Sequence, residues 1–557
     1  MTFASDLALR VAGYDRSRER RLAFASRAEE RLQLDRELQS DERASRDAME
    51  RVGRTPHIVL GTTASGIPYR IPLVDFTSLP SWTTAATGAG KSRFMGHAIL
   101  SVITEMLDGA RVSVVLIDGK GETADSHLRA IAAMAGRLPR SERPAFLSRI
   151  CTLRFFDRDY LPSWPILARA PGVPIASQAD AFAEILNDVV ADATVGPRQR
   201  STLAAVVAVS LEFGLPLVAL PFLLSSPKEV SELAARSSMP SVRLDLARFD
   251  REPQGSIDGI VARLGVILRS PSLKAIVSGT KPFDWSMCFE PGSVTTLDFG
   301  GADLGARAGV RAMGSLAISA LANAAFDPRR IVKGTTLIVV DEPQTLITSV
   351  TLGQFERLVT LGRSFGAGGL VLLHQGATQL PIELQNILNT NVPLRVLGRS
   401  SERDASASSE WLPHTGRVPK PREPGARGHE SAFLNEGQEE RYRIMELGKL
   451  PPRFFLVSDR RAPFAPRVVR APDHNPPPWS AIDPEIADAV RRGSSGVPRR
   501  ELEERVRRIE EEAAAKLAGQ VRAEEAVRRG RRRGGAPPAT PDVVGRSTGR
   551  GRQGGVL

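Results

Sequence analysis

The sequence predicts an α/β protein built on a mainly parallel sheet and interrupted by an all-helical block. Three observations carry that expectation. Trp82 to Ser92 reads Trp-Thr-Thr-Ala-Ala-Thr-Gly-Ala-Gly-Lys-Ser, a glycine-rich turn that runs into a helical pattern. Two near-continuous apolar runs, Val112 to Asp118 and Thr336 to Glu342, have the composition of strands covered on both faces, and each ends in acid. From about Gln178 to Ile276 apolar residues recur at helical spacing without strand alternation.

A nucleoside triphosphate crowds several negative oxygens together, so its site needs clustered donors: successive backbone amides, a helix N-terminus, a lysine and a hydroxyl. The segment Thr87, Gly88, Ala89, Gly90, Lys91 and Ser92 can supply all of them. Gly88 and Gly90 let the backbone curl with its amides inward, Lys91 can reach the β and γ phosphates, and the Ser92 hydroxyl can ligate Mg2+. Phe94, Met95, Ala98, Ile99, Val102, Ile103, Met106 and Leu107 follow at helical period, which puts the loop at a helix start. The pattern G-x-x-x-x-G-K-[ST] asks for glycine where this chain has Ala85. That place is the farthest from the phosphates, so the alanine is expected to be tolerated.

The second half of such a site is expected at strand ends. In phosphate-loop motors the first acid of a pair such as Asp341-Glu342 holds the Mg2+ shell and the second polarises the attacking water; the bland alternative is a helix cap. The strand Val371-Leu-Leu-His374 ends in Gln375, an uncharged amide placed beside the acids to sense the γ-phosphate. Asp118 is followed by Gly119-Lys-Gly-Glu122, a polar loop of the kind that borders the ligand crevice of an open α/β sheet. Lys120 and Glu122 are therefore site or subunit-contact residues, or members of an ordinary charged turn.

The chain has 557 residues, enough for two to four domains at roughly 100–200 residues each. Its two cysteines, Cys151 and Cys288, are far apart and its seven histidines are scattered, which argues against a disulfide framework or a metal cluster and for a reducing compartment. Met1 to Arg21 lacks the apolar core of a signal peptide. Leu203 to Leu224 is apolar but contains Glu212, Gly214, Pro216 and Pro221, so it reads as buried helix, turn and short helix rather than a membrane span. Net charge is +12 at pH 7, and from Arg491 onward seventeen Lys and Arg face nine Asp and Glu. That excess suits a polyanionic partner or a merely solvated segment.

Residues from about Asp15 to Arg51 read as a solvated charged helix, a weak coiled coil or a partner-binding helix. His57 to Leu60 and Tyr69 to Val74 read as a hairpin. Strands are expected at Ser293–Asp298, Pro393–Leu397 and Phe454–Ser458, with a helix through Val310, Met313, Leu316, Ala317, Ala320 and Leu321. Arg403 to Glu439 is expected to form a mobile surface loop, and Arg499 to about Arg529 a helix of charge pairs before a disordered Gly/Pro/Arg tail. Gly362-Arg-Ser-Phe-Gly366 spells a nucleophile-elbow pattern but runs from helix into strand, so it is a chance match.

Several of these stretches resemble one family. Thr87-Gly-Ala-Gly-Lys-Ser92, Ile117-Asp-Gly-Lys-Gly-Glu122, Val340-Asp-Glu-Pro-Gln-Thr-Leu346, and Leu361-Gly-Arg-Ser-Phe-Gly to His374-Gln-Gly-Ala-Thr-Gln-Leu380 look like the TraG/TraD-type coupling proteins of conjugation and type IV secretion, of the FtsK/HerA superfamily. Leu450-Pro-Pro-Arg-Phe-Phe-Leu-Val457 resembles that family's closing block. The resemblance implies a RecA-like motor that assembles as a homo-hexamer and translocates single- or double-stranded DNA with ATP and Mg2+, working with relaxase or accessory proteins and secretion-channel components. It also gives Lys91, Glu342 and Gln375 catalytic roles, Ser92 and Asp341 the metal, and Arg363 a trans-acting finger or an ordinary surface salt bridge. Alternatives are a HerA/FtsK-like DNA-processing motor and a secretion ATPase acting on protein substrates. The charged N-terminal pattern stands where that family has a membrane span, so a cytoplasmic motor recruited to the membrane by partners is expected. The organisation then reads 1–55 charged helical extension, 56–175 first part of the motor, 176–280 helical insertion, 281–475 second part of the motor, and 476–557 charged helix and basic tail.

Overall fold

The computed structural model describes residues 28–190, 197–247, 249–301, 306–409, 412 and 434–533. The start of the charged N-terminal pattern, the middle of the expected 403–439 loop and the tail beyond Arg533 lie outside them.

Helix α1 (Ala28–Val52) leads to the hairpin β1 (His57–Thr63) and β2 (Pro68–Pro72), then β3 (Ser81–Thr84), α2 (Lys91–Leu107), β4 (Val112–Asp118), α3 (Glu122–Arg137), β5 (Ile150–Arg154) and β6 (Tyr160–Pro162). Helices α4 (Ile175–Val189), α5 (Pro197–Phe213), α6 (Pro227–Arg236), α7 (Gln254–Leu268) and α8 (Pro271–Val277) form the block that interrupts the sheet. The chain returns through β7 (Val294–Asp298), α9 (Arg307–Ala325), β8 (Thr335–Asp341), α10 (Ser349–Leu361), β9 (Gly369–His374), β10 (Leu394–Leu397), β11 (Phe454–Asp459) and β12 (Arg467–Arg470). Helix α11 (Pro484–Arg492), β13 (Gly496–Pro498) and α12 (Arg499–Arg533) complete the described part.

Eleven strands among the described residues form one sheet, in the order β2-β1-β12-β11-β10-β3-β9-β8-β4-β7-β5. From β10 to β5 all neighbours are parallel, so Leu397, Thr84, His374, Asp341, Asp118, Asp298 and Arg154 end their strands along one rim. The apolar runs are explained by cover on both faces: every residue of β4, β7 and β9 is buried. Alternation divides them. Ile338, Val340, Val115 and Ile117 join a core with Phe182, Leu203, Leu264 and Leu321, whereas Leu337, Val339, Val114 and Leu116 join one with Phe94, Ile99, Leu128 and Ile131. The helical block therefore shares its core with the sheet.

Four expectations need correcting. The second hairpin strand ends at Pro72, not Val74, because Leu73–Ser78 turns into a short helix and leaves Val74 exposed; the first strand runs on to Thr63. The charged N-terminal helix is docked rather than solvated near its end, where Ala48 and Met49 are buried, Met49 O accepts from Arg70 Nη1 at 3.3 Å, and Asp41 pairs with Arg467. The ends of the expected 403–439 loop are helical, at Glu402–Ser409 and from Glu436. The C-terminal charge-dense helix is fastened to the body: β13 pairs with β6, Leu502 and Val506 are buried, and Lys274 Nζ lies 2.9 Å from Glu510 Oε1. Leu502, Val506 and Ile509 are one apolar stripe at helical spacing, hidden among charges.

Candidate functional site

All four residues of β3 are buried, which fixes the loop that follows. Ala85 N donates to His374 O at 3.2 Å and Ala86 N to Arg399 O at 2.7 Å, tying the loop to β9 and to the end of β10. Gly88 (φ 78°) and Gly90 (φ 94°) adopt the left-handed backbone that glycine tolerates, and Gly90 caps α2. The amides of Gly88, Gly90, Lys91 and Ser92 have no acceptor among the described residues, as a helix N-terminus leaves them. Ala85 is fully buried with φ below zero, so glycine is not demanded there. Room for its methyl comes from Gly398, where a Cβ would lie 2.6 Å from that of Ala85.

Lys91 opens α2 and is 8% exposed. Its Nζ lies 3.0 Å from Asp341 Oδ1 and 2.8 Å from Glu342 Oε1. Burial works against its charge, but the two carboxylates outweigh that and raise its pKa. Asp341 Oδ2 accepts from Thr123 Oγ1 at 2.5 Å. Glu342 follows with φ 56° and ψ 53°, left-handed geometry that is uncommon outside glycine and clusters at functional sites. Its Oε1 also faces Lys120 Nζ at 3.3 Å and accepts from Gln375 Nε2 at 3.2 Å, while Gln344 donates to Oε2. Burial opposes the Glu342 charge, yet Lys91, Lys120 and Gln344 hold its pKa down at about 2.

The structure thus gathers Lys91, Asp341, Glu342 and Gln375, with Ser92 in the first turn of α2 and Thr87 to Gly90 forming the rim. Glu122 starts α3 in its first turn. Arg363 is not among them. It is exposed in the Gly362–Phe365 turn that precedes β9, at the opposite rim of the sheet from Gln375. Arg311 is engaged with Ile347 O at 2.8 Å, whereas Arg399 reaches Thr87 O at 3.5 Å.

Three participants escaped sequence reasoning. Asp118, in register with both Asp341 and Asp298, accepts from Lys120 N and Ala124 N at 2.8 Å each. Burial, reinforced by the Asp341 charge, pushes its pKa up to about 6. Thr123 steadies Asp341, and a hydroxyl just after a strand-end loop was the only clue. His374 is fully buried, stacks on Trp82, accepts from the indole at Nε2 and meets Gly376 O at 2.7 Å through Nδ1. Burial depresses its pKa to about 4, so it is neutral at pH 7, and its contact with Trp82 pins β3 to β9, the strand that precedes Gln375.

The residues fit a nucleotide and its Mg2+. Free loop amides, a left-handed glycine cradle and a buried lysine suit phosphate oxygens, and the Ser92 hydroxyl at the start of α2 together with the Asp341 carboxyl, which meets Lys91 from the end of β8, are hard-cation donors. Among the described residues no helix is long and apolar enough to cross a membrane.

No family model and no curated protein matches the sequence. Among solved structures, the bacterial conjugative coupling protein TrwBdeltaN70 in an unbound form is 14% identical, with 75% of this chain and 90% of that chain covered and a TM-score of 0.46. VirB4 of Thermoanaerobacter pseudethanolicus is 15% identical, with 74% and 96% covered and a TM-score of 0.48. The cytoplasmic domain of the Thermomonospora curvata type VII secretion ATPase EccC is 13% identical, with 79% and 31% covered and a TM-score of 0.28.

Proposed function

We propose that the chain is an ATP-hydrolysing, DNA-translocating motor that acts as a homo-hexameric ring, like the coupling proteins its motifs resemble. The observation that carries the hydrolytic part is the convergence of Lys91, Asp341, Glu342 and Gln375 beside unpaired loop amides. Thr87 to Ser92 bind the phosphates, Lys91 neutralises their charge, and Ser92 with Asp341 holds Mg2+. The bound cation supplies charge screening at the phosphate oxygens. Glu342, ionised at neutral pH, orients water and accepts its proton, with Gln375 fixing the carboxylate from the neighbouring strand. DNA as cargo is supported by the motif set and by the basic excess after Arg491, and a reducing, cytoplasmic setting by Cys151 and Cys288, both free and buried. Recruitment to the membrane by relaxase or channel partners belongs to the same reading.

Arg363, exposed at the far rim, serves the neighbouring subunit's site. Mixing Lys91→Ala with Arg363→Ala chains should restore turnover that each lacks alone, since some interfaces then pair an intact loop with an intact arginine. Verified mixed rings without recovery would remove Arg363, and Arg399, already beside the loop, would be tested in its place. The whole reading rests on DNA-stimulated turnover: with ATP and Mg2+, added DNA should raise the steady-state rate. Turnover unaffected by DNA but raised by secreted protein substrates would reassign the cargo, and no turnover at all would remove the motor.

A further inference from the structure

We propose that the cavity between the helical block and α9 binds a polypeptide segment of a partner protein, carrying a bulky apolar side chain flanked by acidic residues. The cavity has a volume of about 890 Å3. Part of its lining, Pro282 to Ser286 with Glu290 and Arg329 to Ile331 with Lys333, comes from the segments that precede β7 and β8, at the end of those strands away from Lys91. The proposal does not depend on the motor reading.

Three features specify the occupant. Trp164, Phe283 and Trp285 form an aromatic corner, with ring centroids 5.2 Å apart for the tryptophans and 4.9 Å for Phe283–Trp285, both edge-to-face. Backed by Phe182, Ile185 and Leu211, this corner suits a bulky apolar group. On the α9 wall, Ser319 is 7% exposed and its hydroxyl has no hydrogen-bond partner among the described residues. A buried, unpaired hydroxyl costs stability, which a ligand can relieve. Asn323 lines the cavity one turn further along the same face, and its carboxamide makes no hydrogen bond to a described residue. A hydroxyl and a carboxamide so placed offer donor and acceptor to the C=O and N–H of a peptide backbone, a pairing that a purely hydrocarbon ligand could not use.

The rim adds charge. Arg329 and Lys333 are matched by Asp327 and Glu290. Arg169 donates only to the carbonyls of Leu211 and Glu212, and Arg330 to that of Ala325 at 3.0 Å and to that of Phe365 while it covers the Phe289 ring. Neither has a carboxylate of a described residue within ion-pair distance, Glu212 acting on Arg169 and Glu290 with Asp327 on Arg330 only at longer range, which leaves both able to pair with an acidic flank on the incoming segment.

The test uses the full chain and short synthetic peptides of Ser, Gln and Gly with a central Trp, Leu or Ala, each with and without flanking Glu. 8-Anilinonaphthalene-1-sulfonate serves as a probe of the apolar lining alone. The Glu-flanked Trp or Leu peptide should bind at least about tenfold more tightly than its Ala counterpart and displace the dye. Ser319→Ala with Asn323→Ala should weaken peptide binding several-fold and leave dye binding in place. Arg169→Gln, at the exposed rim, should reduce the preference for Glu. Ala320→Trp, which fills the cavity, should abolish binding of both, its fold being checked by an unchanged melting profile. Dye binding without any peptide preference would reassign the cavity to small apolar molecules and overturn the proposal. So would peptide binding that survives the double alanine variant and Ala320→Trp, or no binding of either probe.

Discussion

Asp118 and Asp341 end adjacent parallel strands in register, after near-identical apolar runs, yet they do different work. Both oxygens of Asp118 accept from backbone amides, those of Lys120 and Ala124, so it caps α3. Asp341 receives no backbone amide: Thr123 holds one oxygen, and the other faces Lys91 across an ion pair without a hydrogen bond. The following residues decide this. Gly119 to Gly121 let the chain fold straight into α3, whereas left-handed Glu342 throws it into the Pro343–Thr345 turn. An aspartate at a strand end is thus available to a ligand only when the next turn does not consume it.

The largest effects should separate the two acids. Glu342→Gln should retain ATP binding while turnover falls about 10²–10⁴-fold, the usual contribution of a positioned base. Lys91→Ala should lower both, because two buried carboxylates lose their cation. Asp118→Asn loses one of the two amide bonds, because a carboxamide nitrogen cannot accept, so it should cost stability, yet its rate should stay within about threefold of the parent, since its partners are structural amides. Steady-state kinetics and nucleotide titration decide, and an Asp118→Asn chain as inactive as Asp341→Asn would break the comparison.

Stability against pH sharpens it next, because the neighbours have opposite signs. Asp118 has its pKa raised from 3.8 to about 6, so between those values the native state holds a proton the unfolded chain has released. Stability should therefore fall as pH rises through that window, by about 3 kcal/mol in total. Glu342, lowered from 4.5 to about 2, stabilises above pH 4.5 and loses that contribution as pH drops towards 2. Urea midpoints for Asp118→Asn should lack the decline between pH 4 and 6, and those for Glu342→Gln should lack the loss in acid.

Thr123→Val is the third and smaller test. Removing a hydroxyl that orients a metal-holding carboxylate commonly weakens metal affinity about 10–100-fold. The Mg2+ dependence of turnover should shift to higher concentration with little change in melting temperature. An unchanged Mg2+ requirement would place Asp341's orientation elsewhere.

The same contrast explains what was legible in the sequence. Strands β4, β8 and β9 were readable because burial on both faces makes them largely apolar, β7 because its β-branched Val294-Thr-Thr run suits a strand, and the helical block because its spacing never alternates. Lys91, Asp341, Glu342 and Gln375 could be paired because each lies at a strand end or helix start, the positions that local pattern marks. The capping role of Asp118 and the support from Thr123 depend on register between strands far apart in sequence, which no local pattern encodes. His374 looked like one more strand residue until β3 and β9 were neighbours. In the C-terminal helix, charge density masked Leu502 and Val506, since two buried positions in a long polar helix barely alter its composition.

Lys120 bridges Asp118 and Glu342 and gives the smallest, most discriminating prediction. Its amide caps Asp118, and its ammonium, on a side chain 46% exposed, lies 3.3 Å from Glu342. Lys120→Ala keeps the amide and removes only the charge. An ion pair with one partner half in solvent is worth about 1 kcal/mol or less, so turnover should change by no more than about fivefold and stability hardly at all. Lys91 and Gln375 remain on the carboxylate, so Glu342 stays ionised at neutral pH, and the acid limb of the pH–rate profile should move slightly upward. If the loss instead matches that of Lys91→Ala, Lys120 reaches the nucleotide itself, and the loop after β4 belongs to the site as fully as the turn after β8.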